Sequence, residues 1–189
     1  MQNFIKFSLL SSAIIFSSAC SMNSTDYLEN STPVPMTAAQ KTTDGKIIAG
    51  LIALNQNEIA AGQLAEAKAV NPSVRNFGQM MVREHGANLS TTETVAQRTG
   101  ITPINGPVAQ TLKYKGRVEL ARLKRLNGPA FDKAYIAAMV KGHADALKLI
   151  DNKLMQQVVN PMLRAHLERT RAHVSQHLQQ AQTIQQSLQ

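Results

Sequence analysis

The sequence predicts an all-α bundle of four long helices and one shorter one. Three observations carry this expectation. Apolar residues recur at steps of three and four over most of residues 44–189, with no stretch of strand-like alternation. Asparagine–proline or glycine–proline signals break that periodicity at Asn71-Pro72, Asn127-Gly128-Pro129 and Asn160-Pro161. About 170 residues remain after an N-terminal export signal, a length that suits one domain with a real core.

Residues 1–19 read as a signal peptide: a polar start with Lys6, an apolar run from Phe7 to Phe16, then Ser17-Ser18-Ala19. The apolar run is too short to span a bilayer. Cys20, the only cysteine, follows the small residues at once. This placement resembles the lipobox of bacterial lipoproteins, whose mature chain begins with a lipid-modified cysteine. The resemblance implies a lipid-anchored protein of the cell envelope, on the outer membrane and facing the periplasm. Plain cleavage and soluble release into the periplasm is the alternative, and an uncleaved anchor ranks last. With Cys20 modified, no thiol remains for a disulfide, a nucleophile or a thiolate metal site. Residues 21–43, rich in Ser, Thr, Asn and Pro, read with Cys20 as a lipidated tether spanning roughly 25 Å as a coil.

Asp44 reads as the N-cap of the first helix, which runs to about Val70 with Ile47, Leu51, Leu54, Glu58, Ala61 and Ala65 on its seam. Asn71-Pro72 opens a second helix, striped by Val74, Phe77, Met81, His85 and Leu89 and ended by Gly100. Residues 101–107 form a loop. The third helix, about 108–126, carries Lys113, Lys115, Arg117, Arg122, Lys124 and Arg125. The formal net charge is +8, but this run has no aromatic interleaving, which argues against nucleic acid. A solvated helix face is the first reading of the 113–125 run, and attraction to anionic lipid headgroups is the functional one. The fourth helix, to about Met155, carries Tyr135, Met139, His143, Leu147 and Ile150. The last carries Leu163, Leu167, Thr170, Val174, His177, Ala181 and Ile184.

Four polar residues occupy seam positions: Glu58, His85, His143 and His177. Glu58 and His85 lie 13 and 14 residues from the Asn71 turn, and His143 and His177 flank the second turn at similar depths. At about 1.5 Å per residue all four converge near the middle of the bundle. The first reading is a buried hydrogen-bonded cluster in which Glu58 accepts from histidines and Tyr135 or a water completes it. The second is a single transition-metal ion, Zn, Fe or Cu, on three imidazoles and a carboxylate. A diiron site is disfavoured, because no Glu-x-x-His pair occurs. Glu84 adjoins His85 but points about 100° away. His166 and His173 fall off the apolar stripe and read as surface residues. The methionines read as core rather than copper ligands, and no serine has a nucleophile-elbow context.

Four segments carry a family resemblance: Asn57-Glu58 to Leu64-Ala65; Asn71-Pro72 through Phe77, Met80-Met81-Val82 and His85; Leu126-Asn127-Gly128 through Phe131-Asp132, Tyr135, Met139-Val140 and His143; and Asn160-Pro161 to His177-Leu178 and Ala181. Together they resemble exported bacterial proteins of unknown function called "predicted outer membrane protein". The resemblance implies a ferritin-like up-down bundle over residues 44–189, with recurrent polar positions at Glu58, His85, Asp132, Tyr135, His143 and His177. It implies no activity. The leading expectation is a non-enzymatic binding or stress-protection role, with metal buffering or redox protection as the alternative.

Replacing Cys20 by Ala is expected to move the protein from the membrane fraction to the soluble fraction. An unchanged membrane fraction after cell fractionation contradicts the anchor.

Overall fold

The computed structural model describes residues 35–189, which are helical almost throughout. The expected signal peptide, Cys20 and residues 21–34 of the expected tether lie outside the described residues. The helices are α1 (Ala38–Lys68), α2 (Pro72–Thr99), α3 (Pro107–Lys124), α4 (Gly128–Leu149), α5 (Met155–Gln157) and α6 (Pro161–Ser187). A π-helical turn, Ile150–Leu154, joins α4 to α5 so that the three run as one long rod. Among the described residues there is no strand, and no helix is long and apolar enough to cross a membrane.

The first helix begins earlier than the sequence predicts. Thr37 is the N-cap: its Oγ1 accepts from the Gln40 N–H at 3.2 Å, and Gln40 Oε1 accepts from the Thr37 N–H at 2.8 Å. This Thr37-x-x-Gln40 capping box satisfies two otherwise free donors. Residues 38–43, expected in the tether, are therefore helix. Asp44 is buried within α1 and caps a different element. Its carboxylate accepts from the Val159 and Asn160 backbone N–H groups at 3.0 and 2.8 Å, in the turn before α6.

Asp132 does the same for the other end of the bundle. Its carboxylate accepts from the Val70 and Asn71 N–H groups at 3.2 and 2.8 Å, in the turn before α2. The α1–α2 and α4–α6 hairpins thus clamp one another reciprocally. Each turn is finished in the same way. Asn71 and Asn160 cap their own helices. Four residues later Arg75 donates to the Ala69 carbonyl, and Arg164 donates to those of Met155 and Val158. Asp44 precedes Asn71 by 27 positions, whereas Asp132 precedes Asn160 by 28. The surplus residue in the second hairpin is taken up by the π-helical turn, which accommodates a one-residue insertion in a helix.

The clamps fix helix direction. α1 starts where α4 and α5 end, and α4 starts where α1 ends, so α1 is antiparallel to α4. α3 climbs back along α1 from the Ile104–Gly45 backbone hydrogen bond (2.9 Å) to Lys68, whose Nζ donates to the Lys124 carbonyl at 2.7 Å. Direction therefore alternates along the chain, as the up-down expectation required. Gly100 at φ 63° and Gly128 at φ 57° supply the left-handed conformations that end α2 and open α4. α1 and α2 approach closely where Gly62 faces Gly78: a Cβ on Gly78 would stand 2.7 Å from that of Ala65.

The core has two main apolar groups. One, near the start of α1, gathers Ile47, Ile48, Leu51, Ile150, Leu163 and Leu167. The other, near the opposite end, gathers Ala65, Phe77, Met81, Leu123, Phe131 and Tyr135. The polar centre lies on the same helices between them.

Replacing Asp44 or Asp132 by Ala leaves two backbone donors unpartnered and is expected to cost roughly 2–4 kcal/mol in urea unfolding. An Asp132→Ala protein as stable as an exposed Lys113→Ala control contradicts the clamp.

Candidate metal centre

Three of the four converging residues meet. One ring nitrogen of each of His85 (α2), His143 (α4) and His177 (α6) lies within 4.8 Å of one from each of the others. Their ring centroids are 5.2–5.8 Å apart. All three residues are buried.

Each imidazole spends one nitrogen outside the trio. His85 Nδ1 lies 2.9 Å from Asn55 Oδ1, His143 Nδ1 lies 2.9 Å from the Met139 carbonyl, and His177 Nε2 lies 2.8 Å from Glu84 Oε2. A carbonyl and a carboxylate can only accept, so His143 and His177 must donate there. The orientation of Asn55 is fixed by its own donors, since Nδ2 bonds the Leu51 carbonyl and Asn88 Oδ1, each at 3.0 Å. His85 Nδ1 therefore donates to its oxygen. The remaining nitrogens, His85 Nε2, His143 Nε2 and His177 Nδ1, are buried and have no hydrogen-bond partner. In the neutral rings each is a lone pair.

The partners form a second layer of the centre. Asn88 Nδ2 donates to Thr170 Oγ1 at 2.9 Å, and Thr170 donates to the His166 carbonyl at 2.9 Å. Thr92 donates to the Asn88 carbonyl and lies 2.8 Å from His166 Nε2. The sequence revealed Glu84 only as a neighbour that cannot pair with His85; the structure turns it across the α2–α6 contact to His177. His166, expected on the surface, is buried in this layer. His173 is exposed, as expected.

Asn55 is the residue that sequence reasoning missed. The break between α1 and α2 is centred near residue 70, so Asn55 and His85 are equidistant from it and face each other. Glu58 is one turn nearer the break. It stands outside the trio, half-buried, with Oε2 sealed from solvent and unpartnered. The histidines do not donate to it, which corrects the expected hydrogen-bonded cluster. Burial pushes the Glu58 carboxyl above its ordinary range, against the attraction of His143. The Tyr135 hydroxyl is also buried and unpartnered, and burial together with Glu58 and Glu66 holds it well above its usual range.

The two hairpins place different chemistry at equivalent positions. Asn55 and His143 each lie 11 residues after their clamp aspartate, and each donates to the carbonyl four residues back. Asn88 and His177 each lie 17 residues after their capping asparagine. One hairpin thus presents two amides and the other two imidazoles.

Burial pushes His85 well below its ordinary range, aided by repulsion from His143, His177 and His173. Burial also lowers His177, against the pull of Glu84. Neutral imidazoles with one nitrogen tied back and the other free are the form in which histidine binds metal. Three such donors suit Zn, Fe or Cu.

The family model described as Domain of unknown function (DUF4142) matches residues 29–184. No curated protein and no solved structure matches the chain.

His166 is lowered from 6.5 to about 4, by burial first and then by Arg169 and His173. The folded protein therefore binds fewer protons than the unfolded chain between about pH 4 and 6.5, and this group's contribution to stability is lost as pH falls through that window. His85 and His177 act in the same direction, whereas Glu58, raised from 4.5, opposes them. Urea midpoints measured across the window should fall on acidification, with a shallower slope in His166→Gln. Identical slopes contradict the assignment.

Proposed function

The chain belongs to the DUF4142 family, and we propose that it is a metal-binding protein holding one transition-metal ion on His85, His143 and His177. The observation that carries this reading is the direction of the hydrogen bonds. Each N–H is spent on Asn55, Met139 or Glu84, and three buried nitrogens are left without a donor. Lone pairs cannot satisfy one another, and burying them unpaired is costly. A cation on all three removes that cost. The second layer has the form that orients metal-bound imidazoles, with a carboxylate, a carbonyl and an amide oxygen each accepting from the distal nitrogen.

Further aspects of the reading rest on the sequence. We take the bundle to be ferritin-like and to be tethered through Cys20 at the periplasmic face of the outer membrane. There it would buffer a metal or protect against its redox chemistry without being an enzyme. The exposed basic face of α3 would lie against anionic headgroups.

Full-length protein purified without a histidine tag should take up one equivalent of Zn²⁺ or Co²⁺ in competition with a chelating dye. Replacing Asn55 by Leu should weaken affinity about 10–100-fold while helicity is kept, because the His85 ring loses its orienting acceptor. Unchanged affinity in a His85→Ala, His177→Ala double variant contradicts the reading.

A further inference from the structure

The three imidazoles leave a fourth coordination position. Among the described residues the buried carboxylate oxygen without a partner is that of Glu58, which lies outside the set of mutually close donor atoms. Glu58 faces a groove of about 650 Å³ between α1, α3 and α4. Glu58 is part of its wall, as are Met139, whose carbonyl holds His143, and Gly142 and Ala146, which lie on either side of His143 in α4.

The groove opens because α3 packs along α1 and meets α4 only slightly. Asn57 Nδ2 donates to the Leu112 carbonyl at 2.8 Å, and its carboxamide fills the space where any side chain at Gly116 would lie. This pins α3 to α1 at mid-height. Of the α3 side chains only Ala109 and Leu123 are buried, near its two ends. Between them Tyr114 and Val118 stay exposed along the groove. At the inner wall Gly142 faces Glu58: a Cβ there would stand in ordinary contact, 3.7 Å from Glu58 Oε1.

Resting on the metal reading, we propose that the ion's fourth position is reached from this groove by a small exogenous oxygen- or nitrogen-donor anion, which hydrogen-bonds to Glu58. Glu58 is then a positioning residue at the mouth of the centre and not a ligand. Its Oε2 is buried without a partner, so the chain itself supplies a polar group for such a molecule. In its protonated form the Glu58 carboxyl donates to the anion, and a hydrogen bond to a charged acceptor is among the stronger ones. Glu58 Oε2 is sealed from solvent, which strengthens that contact further.

The test is azide titration of the Co²⁺-loaded full-length protein, followed in the visible spectrum. A saturable change is expected. Glu58→Leu should retain Co²⁺ but bind azide at least about tenfold more weakly, whereas Glu58→Gln, which keeps a donor, should stay near the parent. Ala138→Phe, which fills the groove away from the ligands, should slow azide entry without changing Co²⁺ content. A Co²⁺ spectrum that azide leaves unchanged overturns the open position. Loss of Co²⁺ in Glu58→Leu overturns it too, because Glu58 would then be the fourth ligand. Azide affinity unchanged in Glu58→Leu removes Glu58 from the role. Failure to bind Co²⁺ at all defeats the metal reading itself.

Discussion

The reciprocal clamp of Asp44 and Asp132 is the constraint on which the rest of this structure depends. Each buried carboxylate takes two backbone donors from the turn of the other hairpin. A helix hairpin can slide along its neighbour in steps of one turn, about 5.4 Å, with little change in apolar burial. The histidine trio does not tolerate such a step, because its donor atoms lie within 4.8 Å of one another. Apolar packing supplies most of the stability, and the two aspartates supply the register. The π-helical turn serves the same end, taking up one extra residue so that both clamps close.

Within that frame the two hairpins divide the work. Equivalent positions hold Asn55 and Asn88 in one and His143 and His177 in the other. The amides tie α1, α2 and α6 together through Thr170 and fix the ring of His85. The imidazoles keep their free nitrogens. A buried polar network that is fully satisfied specifies a single arrangement, and one left partly unsatisfied marks where something else binds. The amide side is of the first kind and the histidine side of the second. The two hairpins are thus alike at their ends and differ at their centre.

Much of the fold was legible in the sequence because it rests on local signals. The Asn71-Pro72, Gly128-Pro129 and Asn160-Pro161 breaks act within a few residues, and the apolar stripes repeat at helical spacing. The depth of His85, His143 and His177 could be counted from those breaks. Other features were not legible, for physical reasons that differ. Thr37 opens α1 inside a Ser/Thr-rich stretch, and only the pairing with Gln40 separates it from its surroundings. Asp44 looks like a cap because its partners, Val159 and Asn160, are over a hundred residues away. Glu58 was placed level with His85 because the count began at Asn71 and not at the centre of the break, and a three-residue error exchanged it for Asn55. His166 sits off the apolar stripe yet is buried, since the layer it joins is polar. Glu84 reaches His177 through a contact between helices that no local pattern reveals.

The central claim is that three imidazoles are oriented to share a cation, and X-ray absorption at the zinc edge of the reconstituted protein tests it most directly. The account predicts three imidazole nitrogens at about 2.0–2.1 Å with one further light-atom ligand, and loss of imidazole scattering in His85→Ala. A first shell of oxygens alone, or an imidazole count indifferent to that substitution, would contradict it.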